Sequence, residues 1–115
     1  MKNLIGIIAA DPNSINSEII AKVWKKRIEF KNLNIFIIGN YILIKKQLEK
    51  IKVNLNLKKI SKIQKQNFKK KLLIYDVPLK FNRLFNISRK AKSDYVINSF
   101  KIAIKLMKGG KILGL

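Results

Sequence analysis

A single stretch near the start of the chain, from Leu4 to Arg27, places the tightest limits on the fold. Residues 4–10 are continuously apolar and rich in isoleucine, which is typical of a strand buried on both faces of a sheet. Pro12 ends this run, because proline fixes its own φ angle and biases Asp11 toward extended geometry. The next apolar side chains recur at helical spacing: Ile15, Ile19, Val23 and Trp24. A buried strand that passes through a short polar loop into a helix predicts the first half of a βαβ unit.

The polar loop of this unit, residues 11–17, is where we expect function. In open parallel sheets, ligands gather outside the carboxyl ends of the strands. Asp11, Asn13 and Ser14 are therefore the candidate ligand-binding residues. The Asp11 carboxylate could equally hold the turn by accepting hydrogen bonds from nearby backbone amides, and the sequence favours neither role over the other.

Similar apolar segments recur along the chain and predict a mostly parallel sheet. Residues 33–39 and 72–77 are nearly continuous apolar runs, as expected of central strands. Residues 53–57 alternate apolar and polar side chains, which predicts a strand with one solvated face near a sheet edge. Residues 58–71 are dense in lysine and are interpreted as a loop or an irregular helix. Residues 111–115 are apolar again and predict the start of another strand.

Three helices are predicted, each from a capping residue followed by an apolar stripe. Asn16 or Ser17 is expected to cap the first helix, Asn40 the second and Ser93 the third. The stripe of the second helix consists of Ile44, Leu48 and Ile51. The stripe of the third consists of Val96, Phe100, Ala103, Ile104 and Met107.

Composition narrows the function classes. The chain has 115 residues, of which 48% are apolar, so it can form one domain with a real core and is not a disordered tail. It contains no cysteine and no histidine, which removes disulfides, Cys/His metal sites and the usual general base at neutral pH. No apolar run approaches the roughly 20 residues of a membrane span, and the N-terminus lacks a signal-peptide pattern. We therefore expect a cytoplasmic protein without a membrane partner.

The charge balance is extreme, with 26 basic and 6 acidic residues and a formal net charge of +20. One interpretation is a small basic α/β domain that binds nucleic acid or anionic surfaces through its lysines. However, the arginines number three, whereas readers of nucleic acid usually use arginine for its planar fork. The lysines are spread over every segment and accompany many isoleucines and asparagines, which indicates an AT-rich coding sequence. Nucleic-acid binding is kept as the alternative function.

Recognisable catalytic motifs are absent, and two conspicuous side chains have structural explanations. No glycine-rich nucleotide loop and no serine-nucleophile elbow is present, and the acidic residues do not cluster in sequence. Asp76 follows a predicted strand and precedes Pro78, so we interpret it as a turn residue rather than a ligand-facing carboxylate. Trp24 is interpreted as a core or interface residue rather than a stacking platform.

The opening segment carries one specific motif. Residues 5–20 are Ile-Gly-Ile-Ile-Ala-Ala-Asp-Pro-Asn-Ser-Ile-Asn-Ser-Glu-Ile-Ile. This segment resembles the opening signature of the 4-hydroxythreonine-4-phosphate dehydrogenase family of pyridoxal phosphate biosynthesis, which is roughly Ile-Gly-Ile-Thr-x-Gly-Asp-Pro-Ala-Gly-Ile-Gly-Pro-Glu-Ile. The residues that match that signature include Asp11, Pro12, Ile15 and Glu18. The departures are Ala10, Ser14 and Asn16 in place of family glycines and Ser17 in place of the proline. The order of the later segments is also similar, up to a family Thr-x-Pro-Ile-Asn-Lys segment that would follow residue 115.

The resemblance implies a fold and an activity. The fold is an α/β/α sandwich related to isocitrate and isopropylmalate dehydrogenases. The activity is that of an NAD-dependent oxidoreductase, which oxidises a CH–OH group of the phosphorylated hydroxy amino acid 4-phosphooxy-threonine before decarboxylation. The resemblance further implies a divalent metal ion, held by histidines at a homodimer interface. Those histidines and most of the NAD site would lie beyond Leu115, so no catalytic residue and no metal ligand is assigned within this chain.

These expectations define the domain organisation that we predict. Residues 1–115 are expected to be a single incomplete α/β domain, the N-terminal portion of a longer enzyme. The apolar segment 111–115 agrees with this interpretation, because a domain that ends there would leave a sheet edge uncovered. We expect the fragment to lack activity on its own.

Overall fold

A computed structural model describes residues 4–9, 16–29, 34–63, 68, 70–79 and 87–109. The elements in chain order are β1 (Leu4–Ile8), α1 (Asn16–Lys25), a 3-10 turn (Arg27–Glu29), β2 (Asn34–Gly39), α2 (Tyr41–Lys50), β3 (Leu57–Ile60), β4 (Leu72–Asp76) and α3 (Arg89–Lys108). The strand predicted at residues 111–115 lies outside the described residues.

The described strands form one parallel sheet in the order β1-β2-β4-β3. β1 pairs with β2 along its whole length, and β4 lies between β2 and β3. The central strands β2 and β4 are almost entirely buried, as a parallel sheet covered on both faces requires. The predicted α/β fold, with its βαβ units and parallel sheet, is confirmed.

Successive side chains of β2 point to opposite faces and enter two separate cores. Ile35 and Ile37 pack with Trp24 of α1 and with the buried face of α2. Phe36 and Ile38 pack with α3 on the other face of the sheet. The described elements therefore form three layers, with α1 and α2 on one side of the sheet and α3 on the other.

The first helix departs from the sequence prediction in its buried face. α1 covers Asn16–Lys25, and the predicted capping side chains, those of Asn16 and Ser17, lie outside what the structure describes. Ile19 is 59% exposed, although it was assigned to the apolar stripe. Ile20 is buried instead, on the same face as Trp24, whose burial was predicted, because residues four apart share a helix face.

The third strand lies later in the chain than predicted. Residues 53–56 are not a strand, and β3 covers Leu57–Ile60. It therefore begins at the last residue of the predicted strand and continues into the segment interpreted as a loop or irregular helix. Val53 and Leu55 are half-buried against the core beneath α2 rather than paired in the sheet. Among the described strands β3 lies at an edge of the sheet, as predicted, and an edge strand tolerates the exposed Lys58 and Lys59 that obscured its pattern.

The second helix agrees with prediction, whereas the third does not. α2 buries Ile44 and Leu48, and Ile51 is the half-buried residue that ends it. α3 begins at Arg89 with Ser88 as its N-cap, so Ser93 does not cap it. Within the predicted stripe Ala103 alone is fully buried, Val96 is half-buried, and the larger side chains are exposed: Phe100, Ile104 and Met107.

The buried face of α3 consists instead of Tyr95, Ser99, Ala103 and Leu106. This face contains small residues, which allow the helix to approach the sheet closely. The Ser99 hydroxyl donates a hydrogen bond of 2.8 Å to the Tyr95 carbonyl, which removes the cost of burying it. The face that contains Tyr95 and Leu106 thus packs on the sheet, and the larger side chains of the predicted stripe lie outside it.

Candidate functional site at the carboxyl edge of the sheet

The carboxyl ends of β2 and β4 lie side by side in the middle of the described sheet, where Gly39 is paired with Asp76. β2 continues directly into α2 on one face, whereas the next described helix after β4, α3, lies on the other face. Adjacent parallel strands whose connections leave toward opposite faces form a topological switch point, where open α/β sheets bind ligands. This edge is therefore the first place to look for a site.

Asn40 joins three elements at the switch point. It is the N-cap of α2, where its Oδ1 atom accepts a 2.9 Å hydrogen bond from the Leu43 N–H. Its Nδ2 group donates a 2.8 Å hydrogen bond to the carbonyl of Val77, just after β4. Its backbone N–H donates to the Tyr95 hydroxyl of α3 at 2.9 Å. Asn40 is 6% exposed. Its side-chain amide and its backbone N–H are both hydrogen-bonded, as buried polar groups require.

Asp76 completes the capping of α2 from the end of β4. Its Oδ1 atom accepts a 2.8 Å hydrogen bond from the Tyr41 N–H in the first turn of the helix. A carboxylate at this position also interacts favourably with the positive end of the helix dipole. Its Oδ2 atom lies 4.0 Å from the exposed Lys59 ammonium, an ion pair of small energetic value in water. The Asp76 carboxylate therefore caps the N-terminus of α2. This role replaces the sequence-based interpretation of Asp76 as a turn residue.

Tyr95 connects α3, on the other face of the sheet from α2, to Asn40. Its side chain is 1% exposed, and burial raises the pKa of its hydroxyl to about 12, with the nearby Asp76 carboxylate acting in the same direction. The hydrogen bond from the Asn40 N–H acts the other way and lowers the pKa. The hydroxyl is consequently neutral at physiological pH, and it links α3 to the N-cap of α2 by accepting the hydrogen bond from the Asn40 N–H.

Gly39 makes room for this arrangement. A Cβ atom at this position would lie 2.8 Å from the Tyr95 hydroxyl oxygen, 3.0 Å from Cδ1 of Ile44 and 3.1 Å from Cβ of Ala9. Side chains from both faces therefore converge on the last residue of β2. We call the group formed by Asn40, Asp76 and Tyr95 the Asn40 network.

The hydrogen-bonding groups of the Asn40 network at the switch point are paired with one another or with nearby backbone groups. The N–H groups of Tyr41 and Leu43, which a bound anion would use at the start of α2, already have carboxylate and amide acceptors. No buried side-chain nitrogen or oxygen in the described part of the chain lacks a hydrogen-bond partner. The network therefore has a structural role, and it ties α2, β4 and α3 together at the carboxyl edge.

The residues predicted to bind a ligand, Asp11, Asn13 and Ser14, lie outside the described residues. The flanking elements show where their loop begins and ends. The Ala9 N–H donates a 3.0 Å hydrogen bond to the Ile38 carbonyl, so the chain leaves β1 at the carboxyl edge beside β2. It returns at the start of α1, Asn16. The assignment of these three residues stays a prediction.

The structure also decides two other expectations about individual residues. Trp24 is 3% exposed and belongs to the core, as predicted, and the Arg27 guanidinium lies 4.2 Å from its ring centroid. Tyr95 was not identified from the sequence, although the need of a buried tyrosine hydroxyl for a partner is general. Its partner is separated from it by 55 residues, and no local pattern reveals such a pairing.

The described residues do not fit the metal ion that the family resemblance implies. No group of three or more histidine, cysteine, aspartate or glutamate residues occurs within the described ranges. Asp76, the carboxylate at the switch point, is already engaged by α2 and Lys59. A metal site therefore cannot be assembled from the part of the chain that the structure describes.

The described residues bear on the membrane and nucleic-acid expectations in two ways. Within them, no helix combines the length and the apolarity needed to cross a bilayer. Exposed lysines occur on every described helix and on the edge strand, including Lys25, Lys46, Lys59 and Lys105. This dispersion agrees with a compositional bias in the chain, and nothing in the comparisons supports the nucleic-acid alternative.

Comparison with known proteins identifies the fold. No protein-family model matches the chain, and no curated protein matches it by sequence. The structure is similar to the X-ray crystal structure of a 4-hydroxythreonine-4-phosphate dehydrogenase from Burkholderia phymatum, with a TM-score of 0.83 and 17% sequence identity. The match covers 96% of this chain and 34% of that chain, so the chain spans about a third of the dehydrogenase's length. The resemblance found in the opening residues is thus confirmed at the level of the fold.

Proposed function

We propose that this chain is the N-terminal portion of an NAD-dependent dehydrogenase that oxidises 4-phosphooxy-threonine, a phosphorylated hydroxy amino acid. The observation that carries the proposal is a fold match over 96% of the chain to a dehydrogenase of this type. The Asp11-Pro12 signature, found independently in the sequence, supports the same assignment. Residues 1–115 are accordingly proposed to be an incomplete domain, in a cytoplasmic enzyme of pyridoxine biosynthesis.

In this proposal, the loop after β1 contributes part of the substrate crevice. Asp11, Asn13 and Ser14 would offer hydrogen-bonding groups at the carboxyl edge, where such sheets bind ligands. NAD, the divalent metal ion and the homodimer partner would be bound mainly by residues outside this chain.

The Asn40 network supports this role indirectly. It fixes α2 and α3 on opposite faces of the sheet at the edge where the crevice would open. A rigid edge holds adjacent loops in place, and precise placement of reacting groups is a large part of catalytic power. The network would therefore be scaffold, and the reacting groups would come from neighbouring loops and from the rest of the enzyme.

The proposal is tested with a chimera. This chain replaces the matching third of the Burkholderia phymatum dehydrogenase, and NADH formation from 4-phosphooxy-threonine is measured with a divalent metal present. We expect turnover by the chimera and none by the isolated chain. The intact Burkholderia enzyme and the Burkholderia remainder without any replacement are the matched controls.

Two results would contradict the proposal. A chimera that folds, as judged by a cooperative thermal transition and the size of the intact enzyme, yet shows no more turnover than the remainder alone would exclude the dehydrogenase role. Turnover by the isolated chain would contradict the division of the catalytic residues between this chain and the rest of the enzyme.

A further inference from the structure

Exposed apolar side chains are concentrated on one helix. Six large apolar side chains in the described part of the chain are exposed, and four of them belong to α3. These four, which we call the α3 stripe, are between 43% and 50% exposed: Ile97, Phe100, Ile104 and Met107. Single exposed apolar residues are normal on a protein surface, whereas a group of them on one element is typical of an interaction site.

The spacing of the α3 stripe is that of a helix–helix contact. Its positions, 97, 100, 104 and 107, are three, four and three residues apart along α3. This is the spacing with which one helix packs along another in bundles and coiled coils. Because a helix rises about 1.5 Å per residue, the stripe is about 15 Å long. It can therefore contact about three turns of a second helix.

The position of the α3 stripe around the helix axis shows where a second helix would lie. Three of its members directly follow a residue of the buried face and directly precede a lysine, in the runs Ser99-Phe100-Lys101, Ala103-Ile104-Lys105 and Leu106-Met107-Lys108. Successive residues of a helix are rotated by about 100°. The stripe is therefore about a quarter turn from the face that packs on the sheet, and the lysines are a further quarter turn away. The α3 stripe thus faces sideways, as expected for contact with a neighbouring helix in the same layer.

The charges beside the α3 stripe indicate the chemistry of its partner. Lys101, Lys105 and Lys108 are exposed along its outer border, and Asp94 is the one acidic residue in α3. A partner helix with acidic side chains along its own border would form attractive pairs with these lysines. The α3 helix of a second copy would instead place lysine beside lysine, between chains that each carry a net charge of +20.

We propose that the α3 stripe is the docking surface for an amphipathic helix with acidic borders, supplied by the rest of the dehydrogenase polypeptide. The source of this helix rests on the proposed function. The chain matches 34% of the Burkholderia dehydrogenase, so about two thirds of that enzyme's length lies outside the match. Docking buries the apolar side of α3 and extends the layer that carries Tyr95.

Thiol labelling of the chimeric dehydrogenase tests whether the α3 stripe is covered. The chain contains no cysteine, so Phe100→Cys and Ile104→Cys each introduce its one thiol within the stripe. Asn98→Cys, at an exposed position of α3 outside the stripe, is the matched control. In the folded chimera, we expect N-ethylmaleimide to modify the stripe thiols at least about tenfold more slowly than the control thiol. Peptide mass spectrometry measures both rates, which should become equal when the chimera is unfolded in urea.

A photo-crosslink identifies what covers the α3 stripe. Benzoylphenylalanine, a photoactivatable analogue of phenylalanine, is incorporated at position 100 of the chimera and, as the control, at position 98. We expect position 100 to crosslink within one polypeptide to a helix of the Burkholderia-derived part. That helix should carry apolar residues three and four apart, with aspartate or glutamate beside them. Position 98 should give no crosslink to it.

Three results would overturn the inference. Stripe thiols that react as fast as the control thiol in a folded chimera would show that the stripe is open. A crosslink between two polypeptides, seen as a doubled mass under denaturing conditions, would show that a second copy covers it. A crosslink to another part of residues 1–115 would show that the chain covers its own stripe.

NADH formation by the same samples separates this inference from the proposed function. Turnover together with any of the three results would overturn the docking surface and leave the dehydrogenase function standing. A folded chimera that has a covered stripe but no turnover would support the docking surface and contradict the dehydrogenase function. A folded chimera with neither turnover nor a covered stripe would contradict both.

Discussion

The carboxyl ends of β1 and of the β2–β4 pair lie next to each other in one sheet but differ in how their polar groups are used. At β2 and β4, an amide, a carboxylate and a phenol meet, and each makes hydrogen bonds within the chain. At β1, the described strand ends in apolar residues, and the polar side chains lie in the loop beyond it. Polar residues at a strand end are therefore insufficient to indicate a ligand site. A polar residue at a strand end indicates a ligand site only if its hydrogen-bonding groups are not already paired within the folded chain.

The largest effect is expected from Asn40→Ala. This change removes the cap of α2 and leaves the buried Val77 carbonyl without its donor. Losing a cap costs about 0.5–2 kcal/mol, and an unpaired buried polar group costs about 1–3 kcal/mol. We expect the free energy of unfolding in urea to fall by about 2–4 kcal/mol. Asn54→Ala, at an exposed position outside any helix or strand, is the control, and an equal loss in both variants would contradict a structural role for Asn40.

Alkaline pH should weaken the network through Tyr95. The pKa of its hydroxyl is raised in the folded chain from 10.0 to about 12, so the unfolded state loses this proton first as the pH rises. The stabilisation is complete below pH 10 and is lost progressively between about pH 10 and 12, by about 2–3 kcal/mol in total. The free energy of unfolding in urea should decline more steeply across this pH range for the natural chain than for Tyr95→Phe. The variant has the same lysines, so the difference between the two curves reports on Tyr95. Parallel curves would exclude Tyr95 as the cause.

A coupling between Gly39 and Tyr95 is the next effect in size. Gly39→Ala places a methyl group 2.8 Å from the Tyr95 hydroxyl oxygen, and overpacking of this kind costs about 1–3 kcal/mol. Removing the hydroxyl with Tyr95→Phe relieves that contact, so the double variant should lose at least about 0.5 kcal/mol less than the sum of the single variants. Strict additivity would show that the methyl group is accommodated elsewhere.

Asp76→Asn should have the smallest effect. The amide oxygen of asparagine can still accept from the Tyr41 N–H, so the change removes the favourable charge at the start of α2 and the weak pair with Lys59. We expect a loss of about 0.3–1 kcal/mol, measured by urea unfolding at low ionic strength and reduced by added salt. A loss as large as that of Asn40→Ala would mean that the carboxylate has an essential partner beyond these two.

The sequence predicted the parts of the fold that depend on neighbours in the chain. Strands β1, β2 and β4 are apolar runs, and Asn40 was recognised as a cap, because these signals are local. The buried face of α3 was misassigned because that helix also carries large apolar side chains outside the face that packs on the sheet. β3 was predicted too early in the chain, because its lysines face solvent at an edge, where apolar periodicity is weak.

Of the candidate site, sequence reasoning predicted a ligand-binding loop, which stays a prediction because its residues lie outside the described ranges, and it did not identify the Asn40 network. Asp11, Asn13 and Ser14 follow from the break between a buried strand and a helix, which is visible in a single stretch. Tyr95 and Asn40 are separated by 55 residues, and their contact depends on α3 crossing over β2. Such a pairing follows from the topology of the whole sheet and has no signature in either segment.

The most direct test of the functional distinction between the two strand ends compares Asp11→Asn with Asp76→Asn in the chimeric dehydrogenase. Both changes replace a carboxylate by an amide of the same size, and the measured quantity is kcat/KM for 4-phosphooxy-threonine. We predict a decrease of at least about tenfold for Asp11→Asn, equivalent to about 1.4 kcal/mol in the transition state, and less than about twofold for Asp76→Asn. A large decrease for Asp76→Asn with none for Asp11→Asn would contradict the account and place the ligand site at β2 and β4.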